Sequence, residues 1–156
     1  MNSAQKPVVE SVPAIVTTHI IPVSKELLFE AYTNPEILAQ WWGPKGFTNT
    51  FHSFDLRPDG LWSFTMYGPD SKAYKNKIIF KEIVSFEKIV FHHDSGPDYW
   101  GVVTFTATDT PNHTQLTYAM TISASHVYQK LKDFIIGANE ENFDRLEETL
   151  DKLTKN

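Results

Sequence analysis

Hydrophobic and polar positions along the chain change period twice. Residues 14–21 (AIVTTHII) are rich in β-branched side chains and predict a first strand, stopped by Pro22. Ser24 is placed to cap a helix in which Leu27, Leu28, Ala31 and Tyr32 recur at helical spacing. Asn34-Pro35 breaks that helix and starts a second one, with Ile37, Leu38 and Trp41 on one side. Gly43-Pro44-Lys45-Gly46 is the next stop. From there to Met120 the texture is that of short strands with turn residues between them. The expected strands are 47–57, 61–67, 74–84, 89–93, 100–106 and 114–123. With the first strand this makes seven, and their short connections favour an antiparallel meander.

The last period is helical. Val127, Leu131, Phe134, Ile135, Ala138, Phe143, Leu146, Leu150 and Leu153 form one apolar stripe over residues 125–153. The opposite face carries Glu140, Glu141, Glu147, Glu148 and Lys152. Such a helix spans roughly 40 Å, enough to cross a curved sheet. Gly137 interrupts it and is read as a close approach to the sheet or a local bend. The expected fold class is α+β: a seven-stranded curved antiparallel sheet wrapped around a long C-terminal helix, with two short helices after the first strand. Residues 1–13 read as a flexible lead-in, and 14–156 as one domain.

Composition sharpens this picture. Of 156 residues, 13% are aromatic (Phe 11, Tyr 6, Trp 4), an excess that cores and pockets absorb. The formal charge of −5 argues against broad, phosphate-driven nucleic-acid binding. The absence of cysteine excludes disulfides, thiol nucleophiles and cysteine-held metals. No apolar run reaches the roughly 20 residues that span a bilayer, and the N-terminus has no signal-peptide core, so the cytoplasm is the expected location. The sequon Asn112-His113-Thr114 is read as chance.

Local sequence adds a resemblance. Trp41-Trp42-Gly43-Pro44 resembles the WWGP signature of proteins related to the C-terminal domain of the heat-shock-protein-ninety ATPase activator. Arg57-Pro58-Asp59-Gly60-Leu61-Trp62 is similar to that family's RPGGxW turn. Lys81 to Val84 followed by Glu87 to Phe91 resembles its strand hairpin, and Phe143-Asp144-Arg145-Leu146 the LDRL of its last helix. The order of elements resembles the helix-grip fold of the SRPBCC (START-like, birch-pollen-allergen-like) superfamily. Two departures stand out: Ala138-Asn139 where the family often has Gly-Trp, and Ile78 where it often has Gly. The resemblance implies chaperone stimulation, and with it the stress response, hydrophobic-ligand binding or occasional catalysis.

The helix-grip fold implies a gap between the sheet and the last helix. Strand alternation assigns Trp62, Phe64 and Met66 to it, then Tyr74, Asn76, Ile78, Phe80 and Glu82, then Leu116, Tyr118 and Met120. Phe134, Ile135, Ala138 and Asn139 lie on the helix, and Trp41 is counted with them, since one of the adjacent Trp41 and Trp42 enters the core while the other caps the pocket or lies exposed. The expected ligand-binding set is these residues without Glu82 and Leu116. Such a lining suits a small apolar or aromatic molecule oriented by Asn76, Tyr118 and Asn139. The plain alternative is that these side chains fill the core, each large one for roughly 1.5–3 kcal/mol.

Other chemistry finds little support. His92 and His93 point to opposite faces of a strand, so they would not chelate one ion. HExxH, GxSxG and phosphate-binding glycine patterns are missing, and no cofactor is implied. Acid–base catalysis rests on Glu82, His93 and Tyr118 as candidates. The favoured reading is a noncatalytic protein that binds a small hydrophobic ligand. The alternatives are a co-chaperone-like module acting on a heat-shock ATPase, and a small cyclase- or lyase-like enzyme.

Overall fold

The computed structural model describes residues 13–155. The expected lead-in therefore lies, except for Pro13, outside the described residues. Seven strands form one antiparallel sheet: β1 (Ile15–Ile21), β2 (Thr48–Phe54), β3 (Leu61–Tyr67), β4 (Ala73–Val84), β5 (Lys88–His93), β6 (Tyr99–Ala107) and β7 (Thr114–Ile122). Their spatial order is β1-β7-β6-β5-β4-β3-β2. Six strands thus follow one another as a meander, and β1 joins it beside β7, with Thr17 opposite Tyr118. β1 and β2 are the two edges, so the chain between them must cross the sheet. Helices α1 (Lys25–Thr33) and α2 (Pro35–Trp41) make that crossing.

The local signals act as expected. The Ser24 hydroxyl accepts from the Leu27 amide at 3.1 Å and starts α1. Asn34 ends α1 and caps α2 through the Glu36 amide at 3.0 Å, with Pro35 opening α2. Alternation then sends Trp62, Phe64, Ile78, Phe80, Phe91, Val103, Phe105, Leu116 and Tyr118 to one buried concave face. Gly101 sits opposite Phe91 on that face, and a methyl group there would meet the Phe91 ring at 2.3 Å. The glycine is what lets the ring lie flat on the strand.

Helix α3 (Ser125–Thr154) packs on β1, β7 and the other two helices. Its buried line runs through Tyr128, Asn139, Phe143, Leu146 and Leu150, with Leu131 and Ile135 half-buried between. Phe134, expected to face the sheet, is 69% exposed. It stands about 100° from Ile135 around the helix, which takes it off the buried stripe. Leu153 is also exposed. Gly137 does not approach the sheet: nothing lies within 4 Å of the position its side chain would take. No described helix is long and apolar enough to cross a membrane.

Candidate functional site

Phe143, Leu146 and Leu150 of α3 belong to the buried core that also holds Ile15 and Ile21 of β1 and Leu116 of β7. A small, largely buried space lies beneath α1 and α2, between them and β3 to β6. It measures about 10 Å³, the room of roughly one water. Its walls are Tyr32 of α1, Leu38 of α2, Trp42 just after α2, Trp62, Phe80, Ile89, Phe91 and Val103. Trp62 stacks on Phe64 (4.6 Å between centroids) and on Phe80 (5.9 Å, nearly parallel), and Trp42 tilts against Trp62 at 5.2 Å. Trp62 is 2% exposed, and its Nε1–H has no acceptor among the described residues. Of the two adjacent tryptophans, Trp41 is core: its Nε1–H donates to the Ala31 carbonyl at 3.1 Å. Trp42, the member of the pair that the expected ligand set left out, is the one that closes the space.

The other expected lining residues divide into three groups. Trp62 and Phe80 line the space; Phe64 and Ile78 are buried beside it in the same core. Met66 and Tyr74 pair at the far ends of β3 and β4, where Tyr74 is 44% exposed and rests on Phe47. Ile135, Ala138, Asn139 and Met120 pack where α3 crosses the sheet, and the Asn139 amide donates to the Met120 sulfur at 3.3 Å. Glu82 leaves the inner face altogether. A bulge between Phe80 and Glu82 inserts one residue, so Glu82 pairs with the outward Val90 and forms an ion pair with Lys88.

A polar cluster lies on the inner wall. His93, 3% exposed, has Nε2 at 2.7 Å from Asn76 Oδ1 and Nδ1 at 2.9 Å from the Pro97 carbonyl. Its ring stacks on Tyr99 at 4.6 Å, and the Tyr99 and Tyr118 hydroxyls lie close enough to influence one another's titration. Burial lowers the His93 pKa despite the Pro97 carbonyl and the charges of Asp94 and Asp98. Burial also pushes Tyr99 up to about 12 and raises Tyr32 and Tyr118 well above the usual range. These hydroxyls stay protonated at neutral pH. With Glu82 outside, the three expected acid–base candidates are not assembled. His92 points outward, stacked on Trp100 and bonded to Asp98, so the two histidines do occupy opposite faces. Among the described residues no group of three or more histidine, aspartate or glutamate side chains is arranged to hold a metal ion.

The chain after α2 is held by α3, which the residue pattern did not reveal. Arg145 donates to the carbonyls of Gln40, Trp42, Gly43 and Pro44 at 2.9–3.2 Å. Asn142 accepts from the Gly43 amide and donates to the Trp41 carbonyl, and Glu141 accepts from the Lys45 amide. The two family-like stretches at 41–44 and 143–146 are therefore one latch across the molecule. Their distance in sequence, about a hundred residues, hid it.

Further along α3, His19 of β1 lies between Glu140 (2.7 Å) and Glu147 (3.2 Å). Burial alone would lower its pKa, but the bonds to the two carboxylates outweigh that and raise it above 6.5. A raised histidine pKa adds stability that is complete below the unfolded value and is lost as pH rises through the folded one. The melting-temperature gap between the wild type and His19→Gln is therefore expected to be widest below pH 6.5 and to shrink toward pH 8.5. A gap that stays constant or widens over that range contradicts the assignment.

Larger hollows are open and lie outside the grip. One of about 320 Å³ runs between Ile21–Val23 and the last turns of α3, and one of about 490 Å³ lies on β2 to β4 beside His52, Tyr67 and Lys75.

Comparison with known proteins agrees with this architecture. The family described as Activator of Hsp90 ATPase homolog 1-like protein matches residues 22–151. Among solved structures, a protein of Nitrosomonas europaea is similar with a TM-score of 0.83 at 18% identity, over 95% of this chain and 100% of that one. One from Mycobacterium smegmatis gives 0.78 at 23%, over 94% and 99%. One from Silicibacter pomeroyi, itself described as of the same family, gives 0.70 at 17%, over 88% and 97%. At these identities the likeness is one of fold. No curated protein matches.

Proposed function

Because the chain belongs to the family of Activator of Hsp90 ATPase homolog 1-like proteins, we propose that it binds a small apolar or aromatic molecule inside its grip. The observation that carries the reading is the largely buried space walled by Tyr32, Trp42, Trp62, Phe80 and Phe91. Ligand pockets are apolar and aromatic hollows of about 300 Å³ or more. The space is far smaller, so the form described is closed and a ligand must open it. The wall suited to move is Trp42, which stands in a loop rather than in a strand and is held by side chains of α3. Sheet and α3 together thus support the site, although α3 does not line it.

Native mass spectrometry of freshly purified protein, with titration by a naphthalene hydrocarbon, tests this. A small molecule retained one-to-one, or saturable binding of the hydrocarbon that Trp42→Ala abolishes, is the expected result. No retained molecule and no saturable binding overturns it.

A second reading, a module that docks on a heat-shock ATPase, has its own support in the family's description and in Phe134 and Ile136, which α3 turns to solvent. It expects the chain to raise the turnover of heat-shock protein ninety and Phe134→Ser to abolish the effect. Unchanged turnover removes it.

A further inference from the structure

The chemistry of this largely buried space narrows the ligand, taking the binding reading above as given. Its lining holds no carboxylate, ammonium or guanidinium. A charged ligand would meet no counter-charge there, and burying an unpaired charge is costly. Aromatic walls can hold a cation on their faces. Both tryptophans of the lining are packed on aromatic neighbours, Trp62 stacked on Phe64 and Phe80 and Trp42 set against Trp41, Trp62 and Phe91. Phe51 and Phe54 also meet Trp62 in edge-type contacts, and these rings bring no oxygen or nitrogen acceptor to its buried Nε1–H, which stays without a partner. Indole donates and never accepts. Tyr32, on the opposite wall, keeps its hydroxyl proton because burial raises its pKa. Tyrosine can also accept, but among the lining side chains the buried polar atom left without a partner is the Trp62 donor.

We infer that the ligand is an uncharged, flat molecule bearing a hydrogen-bond acceptor, a carbonyl or ether oxygen, that takes the proton of Trp62 Nε1. The rest of its surface is apolar, since the other walls are Leu38, Phe80, Ile89, Phe91 and Val103. An unmade hydrogen bond at a buried donor is penalised, so the acceptor confers selectivity as well as affinity.

Four compounds sharing one skeleton test this: 2-acetylnaphthalene, 2-ethylnaphthalene, 2-naphthoate and 2-(aminomethyl)naphthalene. Each is titrated into the full ¹⁵N-labelled chain at pH 7, following the indole N–H signals, with Trp62 assigned by its loss in Trp62→Phe. The ketone is expected to bind about tenfold or more tighter than the ethyl compound and to move the Trp62 indole proton downfield. Both ions are expected to bind more weakly than the ketone. In Trp62→Phe the ketone's advantage over the hydrocarbon disappears. Equal binding of ketone and hydrocarbon overturns the inference and leaves the binding reading standing. Equal or tighter binding of either ion also overturns it. Failure of all four to bind removes the binding reading, and this inference with it. The ranking on the wild type decides the matter even if Trp62→Phe fails to fold.

Discussion

Arg145→Ala is expected to lower stability by about 3 kcal/mol, measured by urea unfolding. One guanidinium serves four carbonyls at the end of α2, all within 3.2 Å. Gln40 and Trp42 belong to the last turn and the cap of α2, where carbonyls lack helical partners, and Gly43 and Pro44 continue the chain beyond it. Alanine removes a donor from all four at once, although the Trp42 carbonyl keeps the Asn49 amide and the Pro44 carbonyl keeps the Phe47 N–H, and water can reach part of the site because Arg145 is only half-buried. Arg145→Lys keeps the charge but not the planar fork, and is expected to recover less than half of the loss. The loss should come with a changed tryptophan emission, since Trp42 is held by the same contacts. A cost below 1 kcal/mol for Arg145→Ala would mean that the latch does not hold the loop.

Gly60→Ala is expected to cost about as much, near 3 kcal/mol, for a different reason. Its backbone is not in the left-handed region. The difficulty is space: an added methyl carbon would lie 1.9 Å from the Asp55 carbonyl oxygen and 2.8 Å from that of Arg57. Backbone cannot step aside as a side chain tip can. Relief would break the bonds that join this turn to β4, namely Asp59 N–H to the Phe80 carbonyl at 2.7 Å and Phe80 N–H to the Gly60 carbonyl at 3.0 Å. The neighbouring Asp59 makes the control. Its φ of 64° is one that glycine adopts freely, so Asp59→Gly should leave the melting temperature nearly unchanged. A mild effect of Gly60→Ala would show that the turn can move away from β4.

The strands were legible because one face is buried and the other wet, which writes a period of two into the sequence. The bulge at Phe80–Glu82 was not, since no residue there marks an insertion, and it turns Glu82 to solvent. On α3 the apolar residues are more numerous than the buried positions. The side chains alone did not say whether Phe134 or Ile135 faces inward, and the helix rotation set by Asn139 and Phe143 does. The small space beneath α1 and α2 was not foreseen, because the crossing of these helices depends on which strands form the edges. Arg145 was visible within a motif, but its partners are backbone oxygens, and backbone carries no sequence signature. The same holds for Trp62, whose burial was readable and whose unpartnered N–H was not.

The placement of β1 has a kinetic corollary. Its ladder joins Ile15 to Met120 and Ile21 to Thr114, separations of roughly a hundred residues along the chain. Contacts of that span are slow to form, because a long loop must close before the bonds reward it. On a ribosome, the opening strand must wait unpaired until β7 has emerged. During that interval its row of β-branched residues is the part of the nascent chain most in need of protection from its neighbours.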